Sequence, residues 1–151
     1  MNANEAAFLD VISHAEGTDR ATEPYRTCFG FSHVIIDLSD HPTVTGEWMG
    51  ASYAGGLSTA AGRYQINRPS WLEYRTLLKL PDFSPASQDA WCLRKLSGIG
   101  ALPLIEAGLI DQAIALCSRT WASLPGSPSG QPEKKLADLL DFYTLSGGAK
   151  A

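Results

Sequence analysis

Apolar residues recur at helical spacing near both ends of this chain, and between Thr18 and Leu57 that spacing breaks down. This change of pattern limits the fold more than any other feature, because it allows helices on either side of one small irregular β region. Asn2 or Asn4 is placed to cap a first helix running to about Ala15, with Phe8, Val11, Ile12 and Ala15 on one face and Gly17 as its stop. The middle stretch is punctuated by Gly30, Gly46, Gly50, Gly55 and Gly56 and contains the β-branched run Val34-Ile35-Ile36, which reads as a small sheet or hairpin. Helices resume near Asn67, with Pro69 in the first turn and Trp71, Tyr74, Leu77 and Leu78 as the apolar positions. A further helix follows Ser84-Pro85 with Ala86, Ala90, Leu93 and Leu96, a short one covers Leu102 to Ala107, and another covers Asp111 to Ser123 with Ile110, Ala113, Ile114, Cys117 and Trp121 on one face. Leu136, Leu139, Leu140 and Tyr143 mark the last. The expected class is α+β, mostly helical, with a small N-terminal β region forming one side of a cleft.

Length and composition fit one domain over residues 1–151: the chain is 44% hydrophobic and 19% charged, enough to bury a core. Lys and Arg number 12 against 16 Asp and Glu, a net charge of −4 with no basic run, which argues against nucleic acid or an anionic membrane as a partner. Cys28, Cys92 and Cys117 are too few and too scattered for a disulfide framework, and the odd count fits a reducing compartment. The start Met-Asn-Ala-Asn-Glu has neither a basic nor an apolar signal region, so a cytoplasmic chain without a signal peptide is expected. The most apolar stretch, Ala101 to Ile110, is broken by Pro103, Glu106 and Gly108 and falls short of the roughly 20 residues that span a bilayer.

Among the side chains that could do chemistry, Glu16 stands out. Phe8, Ile12 and Glu16 are spaced by four, so Glu16 continues an apolar stripe into the last turn of the first helix. Partial burial and the negative end of the helix dipole would both raise its pKa, as a general acid near neutral pH requires. The same position also suits a solvated last-turn residue. Ser58-Thr59-Ala60-Ala61-Gly62-Arg63-Tyr64-Gln65 lacks the Gly-Lys-Ser/Thr ending of a phosphate loop. Its small residues beside Tyr64 and Gln65 suit close approach to a flat polar ligand such as a sugar, or simply a packed helix start. His14, His33 and His41 form no metal-binding spacing, and Asp37, Asp40 and His41 make only a loose cluster, so no metal is expected. No Gly-x-Ser-x-Gly elbow occurs, and the three thiols sit among apolar neighbours as inert core groups. The polar loop Leu124 to Pro132 is either a connector or a mobile lip.

Taken as an ordered set, several strings resemble the phage lambda endolysin family, the lambda-type lysozymes. They are Ala6 to Asp10, Glu16-Gly17-Thr18-Asp19, Ser39-Asp40-His41-Pro42, Ser58 through Ile66, Phe83 through Ala90, Gly100 through Pro103 and Trp121 through Gly126. The resemblance runs from about residue 5 to 145. Three places depart from the family's pattern: Arg20 to Leu38, Ser129 where a tyrosine is usual before Gly130-Gln131, and His14-Ala15 before the glutamate.

The resemblance implies a lysozyme-like fold and cleavage of the β-1,4 bond between N-acetylmuramic acid and N-acetylglucosamine in peptidoglycan by lytic transglycosylation. It places the family's single catalytic glutamate on Glu16. The matching strings and the second lip make Asp19, Ser58, Thr59, Arg63, Tyr64, Gln65 and Gln131 the expected substrate-binding residues. It implies mobile lips before Ser58 and over Gly126 to Gln131, no cofactor, and glycan strands as the partner. It also implies a monomer without stable membrane association, held in the host cytoplasm until a holin opens the way to the periplasm. A hydrolytic muramidase on the same fold would need a second carboxylate, with Asp19, Asp37 and Asp40 as candidates. A non-catalytic glycan-binding protein is the alternative from another class, and composition alone would allow a structural phage protein with no ligand.

Overall fold

The computed structural model describes residues 1–130 and 132–151. Its elements are α1 (Ala3–Glu16), α2 (Pro42–Thr45), β1 (Ala51–Tyr53), β2 (Gly56–Ser58), α3 (Arg68–Leu78), α4 (Pro85–Gly98), α5 (Leu102–Glu106), α6 (Ile110–Cys117) and α7 (Leu136–Leu145). Among the described residues β1 and β2 form the one sheet, an antiparallel hairpin pairing Ala51 with Ser58 and Tyr53 with Gly56. The class is α+β, as the sequence pattern indicates. The chain divides into two compact units, one of residues Met1–Gly17 with Cys92–Ala151, the other Thr18–Trp91.

In the first unit α1 packs on α5 and α7. Asn2 caps α1 in a capping box: its side chain accepts from the Glu5 N–H at 2.9 Å, and Glu5 accepts from the Asn2 N–H at 2.8 Å. Asn4, the other expected cap, instead ties α1 to the rest of the unit. It donates to the Ile105 carbonyl at 3.2 Å and accepts from the Ala149 N–H at 2.9 Å. Phe8, Ile12, Leu96, Ile105, Ile114, Leu139 and Tyr143 are buried together with this packing, and each large apolar side chain removed from water contributes about 1.5–3 kcal/mol. His14 stacks on Phe142 with ring centroids 4.0 Å apart.

In the second unit, Trp71 of α3 meets Phe83 edge-on at 4.8 Å over a core that also holds Cys28, Ile35, Tyr64 and Ile66. Asn67 caps α3, accepting from the Ser70 N–H at 3.0 Å.

Three expectations need correction. The Val34-Ile35-Ile36 run is not a strand: it contributes a single bridge, Thr27 with Val34, and only Ile35 is buried. Side chains take the place of a partner strand. Arg26 donates to the carbonyls of Ile35 and Ile36 at 2.8 and 2.9 Å, and Glu47 accepts from the N–H groups of Ile36 and Asp37 at 3.0 and 2.9 Å. The buried face of α4 carries Ser87, Gln88, Trp91, Cys92 and Leu96, while Ala86 is exposed. Gln88 is buried because its amide is fully employed, as described below. Finally, α6 stops at Cys117 rather than Ser123. Ser118 turns its hydroxyl back onto the Ala115 carbonyl at 2.9 Å, and the chain tightens into a turn with Thr120 N–H on Cys117 O at 2.9 Å.

Candidate functional site

Glu16 is the last residue of α1. Gly17 ends the helix at φ 82°, a left-handed conformation that glycine adopts without penalty, and donates its N–H to His14 O at 3.1 Å. The Glu16 side chain is half-buried, and burial pushes its carboxyl up to about 7. One hydrogen bond opposes this: Ser123 Oγ donates to Glu16 Oε1 at 3.2 Å and lowers the pKa. Ser123 is held by its neighbours. Trp121 and Leu124 on either side are buried, Leu124 N–H closes a turn on Trp121 O at 3.1 Å, and Lys134 N–H bonds Ser123 O at 2.7 Å. The spacing argument for Glu16 did not reach Ser123. The only signal was its place in the Trp121-to-Gly126 string, which carried no role for it.

Most of the expected substrate-binding residues lie in the second unit. Asp19 is exposed in the short 3₁₀ turn Thr18–Arg20. Ser58 and Thr59 are half-buried at the end of β2 and brace the backbone: Ser58 Oγ accepts from Ala60 N–H at 3.3 Å, and Thr59 Oγ1 from Arg68 N–H at 3.0 Å.

Arg63 and Tyr64 are brought together with Tyr25 and Asp89. Arg63 donates to the hydroxyls of Tyr25 and Tyr64 at 3.2 and 2.9 Å, and its guanidinium lies 5.4 and 5.3 Å from their ring centroids. Both hydroxyls donate to Asp89 Oδ1, at 2.9 and 2.5 Å. Tyr64 is fully buried, so it offers no surface to a ligand and instead holds Asp89 and Arg63 in place. The Arg63 backbone is pinned too, its N–H by Gln88 Oε1 at 3.0 Å and its carbonyl by the Thr18 hydroxyl at 2.6 Å. Gln65, at φ 53°, spends its amide on the carbonyls of Thr27 and Gly62 at 3.1 and 3.0 Å. Gln131 lies outside the described residues.

The other candidate carboxylates have structural partners. Asp40 accepts from Trp71 Nε1 and from the His41 N–H, both at 2.8 Å, and pairs with Arg75. Asp37 is fully exposed and accepts from Ser39 N–H at 2.8 Å, which holds its carboxyl below the usual range. His41 is buried between Thr43 Oγ1 at 2.8 Å and the Ile66 carbonyl at 2.9 Å, and burial pushes its pKa down to about 4, so it is neutral. His33 pairs with Glu47 at 2.7 Å. No group of three or more His, Cys, Asp or Glu side chains among the described residues is arranged to hold a metal ion.

A carboxyl whose pKa stands at about 7 can both give and take a proton near neutral pH. A family model described as Endolysin matches residues 6–150. The endolysin of Escherichia phage lambda is 40% identical over 153 residues, covering 98% of this chain and 94% of its own. The endolysin of Escherichia phage P2 is 38% identical over 159 residues, covering 98% and 95%. Among solved structures, a bacteriophage lambda lysozyme complexed with a chitohexasaccharide superposes with a TM-score of 0.90 at 40% identity, covering 100% of this chain and 98% of that one. The fold is lysozyme-like, and this chain belongs to the endolysin family, of the lambda type.

Proposed function

We propose that this endolysin binds peptidoglycan glycan strands and cleaves the β-1,4 bond between N-acetylmuramic acid and N-acetylglucosamine by lytic transglycosylation, with Glu16 as acid and then base. One observation carries the reading: a half-buried carboxyl with a pKa of about 7, engaged by the neutral hydroxyl of Ser123. A group poised there supplies a proton to a leaving alcohol and accepts one moments later. The chitohexasaccharide in the similar lambda lysozyme supports a glycan as the ligand.

The protonated Glu16 carboxyl donates to the glycosidic oxygen, and the bond from that oxygen to the anomeric carbon breaks. The C6 hydroxyl of the same muramic acid residue attacks the anomeric carbon and gives its proton to the ionised carboxylate. Glu16 ends as it began, and the product carries a 1,6-anhydro ring. Because the nucleophile is already part of the substrate, attack gains effective molarities on the order of 10⁵ M when oriented well. No second carboxylate is required, which accords with the structural employment of Asp37 and Asp40. Asp19 and the Ser58-to-Gln65 segment are proposed to shape the glycan-binding surface, with Arg63 and Tyr64 acting through the backbone they support.

Glu16→Gln is expected to fold, to bind glycan, and to lose at least about two orders of magnitude in turbidity-clearing rate. Clearing at the wild-type rate would overturn the assignment. In the wild-type digest, new ends that borohydride fails to reduce are expected; reducible ends would mean that water had attacked instead. The reading also includes action as a monomer and a holin that admits the protein to the wall. Expression without a membrane-opening partner should leave cells intact, and prompt lysis in that experiment would contradict it.

A further inference from the structure

In the second unit, the segment from Arg20 to Val34 lines a cavity of about 330 Å³. We propose that this cavity recognises the peptide branch of the substrate, taking an amino-acid end that carries both a carboxylate and an ammonium. The proposal rests on peptidoglycan being the substrate, since muramic acid bears such a peptide through its lactyl group.

The volume lies at the lower end of small-molecule sites. Its walls include Ala21, Thr22, Phe31, His33 and Val34, with Arg20 and Glu23 bringing opposite charges to the same cavity. Phe31 is the least expected of these. It sits at φ 56°, a conformation that bulky side chains rarely adopt, and the residue is 57% exposed. Burial of the ring therefore does not account for the strain, and strain without a packing return is characteristic of ligand-contacting positions. Val34 is likewise 56% exposed, so the cavity has two apolar faces turned to solvent. The wall behind them is firm: Thr27 is buried and bridged to Val34, and His33 is anchored to Glu47 at 2.7 Å.

Charge selects the occupant. Arg20 is exposed and has no hydrogen-bond or ion-pair partner among the described residues. Glu23 has an ion pair with Arg26 at 3.7 Å, with its side chain 57% exposed, which is a loose contact. An available guanidinium and a loosely held carboxylate beside an aromatic ring match a zwitterion with an aliphatic stem. The guanidinium grips a carboxylate through paired N–H donors, and the ring covers the methylenes. A neutral sugar would leave the Arg20 charge without a counterpart. In the sequence, Arg20 follows Glu16 by four residues.

The test pairs binding with turnover. Isotope-labelled protein is titrated with a free stem tripeptide ending in diaminopimelate, whose side chain carries both charges. Amide shifts are expected at Arg20, Phe31 and Val34, and they should vanish in Arg20→Gln. In turnover, Arg20→Gln is expected to raise KM at least fivefold on peptide-bearing strands and to leave KM unchanged on strands stripped of peptide by an amidase. Phe31→Gly, which relieves the backbone as it removes the ring, should do the same. Absence of shifts at millimolar tripeptide, shifts that persist in both variants, or an equal KM change on both substrates would overturn the pocket. If stripped strands yield reducible ends, the transglycosylase reading falls, while the titration still decides the pocket.

Discussion

A carboxyl that stays protonated near neutral pH is kept so by its surroundings, and the cost is visible in stability. Between the ordinary 4.5 and about 7, folded Glu16 retains a proton that the unfolded chain has released. Stability therefore falls as pH rises through that window and stays reduced above it. At about 1.4 kcal/mol per pH unit the ceiling is on the order of 3 kcal/mol. Glu16→Gln should accordingly melt higher than wild type at pH 8 and equal it at pH 4; a lower melting point at pH 8 would contradict this. Ser123→Ala removes the one hydrogen bond that lowers the Glu16 pKa, so the alkaline limb of kcat/KM should move to higher pH. An unmoved limb would mean that the bond does not act on the reacting group. The spacing of Phe8, Ile12 and Glu16 made the direction of the Glu16 shift legible beforehand. Ser123 was not legible, because its contact spans 107 residues and no local pattern carries that.

At the scale of elements, the segment Ser58 to Gln65 depends on Gln88. One amide joins three places in the second unit: it donates to Tyr25 O at 2.9 Å and Phe83 O at 2.8 Å, and accepts from Arg63 N–H at 3.0 Å, next to Gly62. A Cβ on Gly62 would lie 2.3 Å from Gln88 Oε1, at a φ of 79°. Gly62→Ala should cost at least about 1–2 kcal/mol from the backbone alone, more with the displaced amide, read as a lower urea midpoint at unchanged slope. Wild-type stability in that variant would show that Gln88 moves freely. Capped helices such as α1 and α3 were readable because their signals are local. The end of α6 was not, because Trp121 keeps a helix-like N–H bond to Cys117 O at 3.1 Å and so preserves the apolar spacing past the helix. The Val34–Ile36 run misled for a different reason: its backbone partners are the side chains of Arg26 and Glu47, which no strand propensity registers.

For the whole molecule, the three thiols report on integrity. Cys28, Cys92 and Cys117 are all buried, and burial pushes Cys28 and Cys117 up to about 12. The native protein should react with a thiol reagent only as fast as it opens, and all three sites should react at once in denaturant. Rapid labelling of the native chain would contradict the packing. The α+β class was legible across the chain, because the change from helical spacing to glycine punctuation and back is a long-range pattern. The reaction itself is decided by whether oxygen from water enters the product. Digestion of sacculi in ¹⁸O-labelled water, followed by mass spectrometry of the released muropeptides, tests this most directly. The account predicts anhydro products without the label, whereas ¹⁸O at the new anomeric carbon would contradict it.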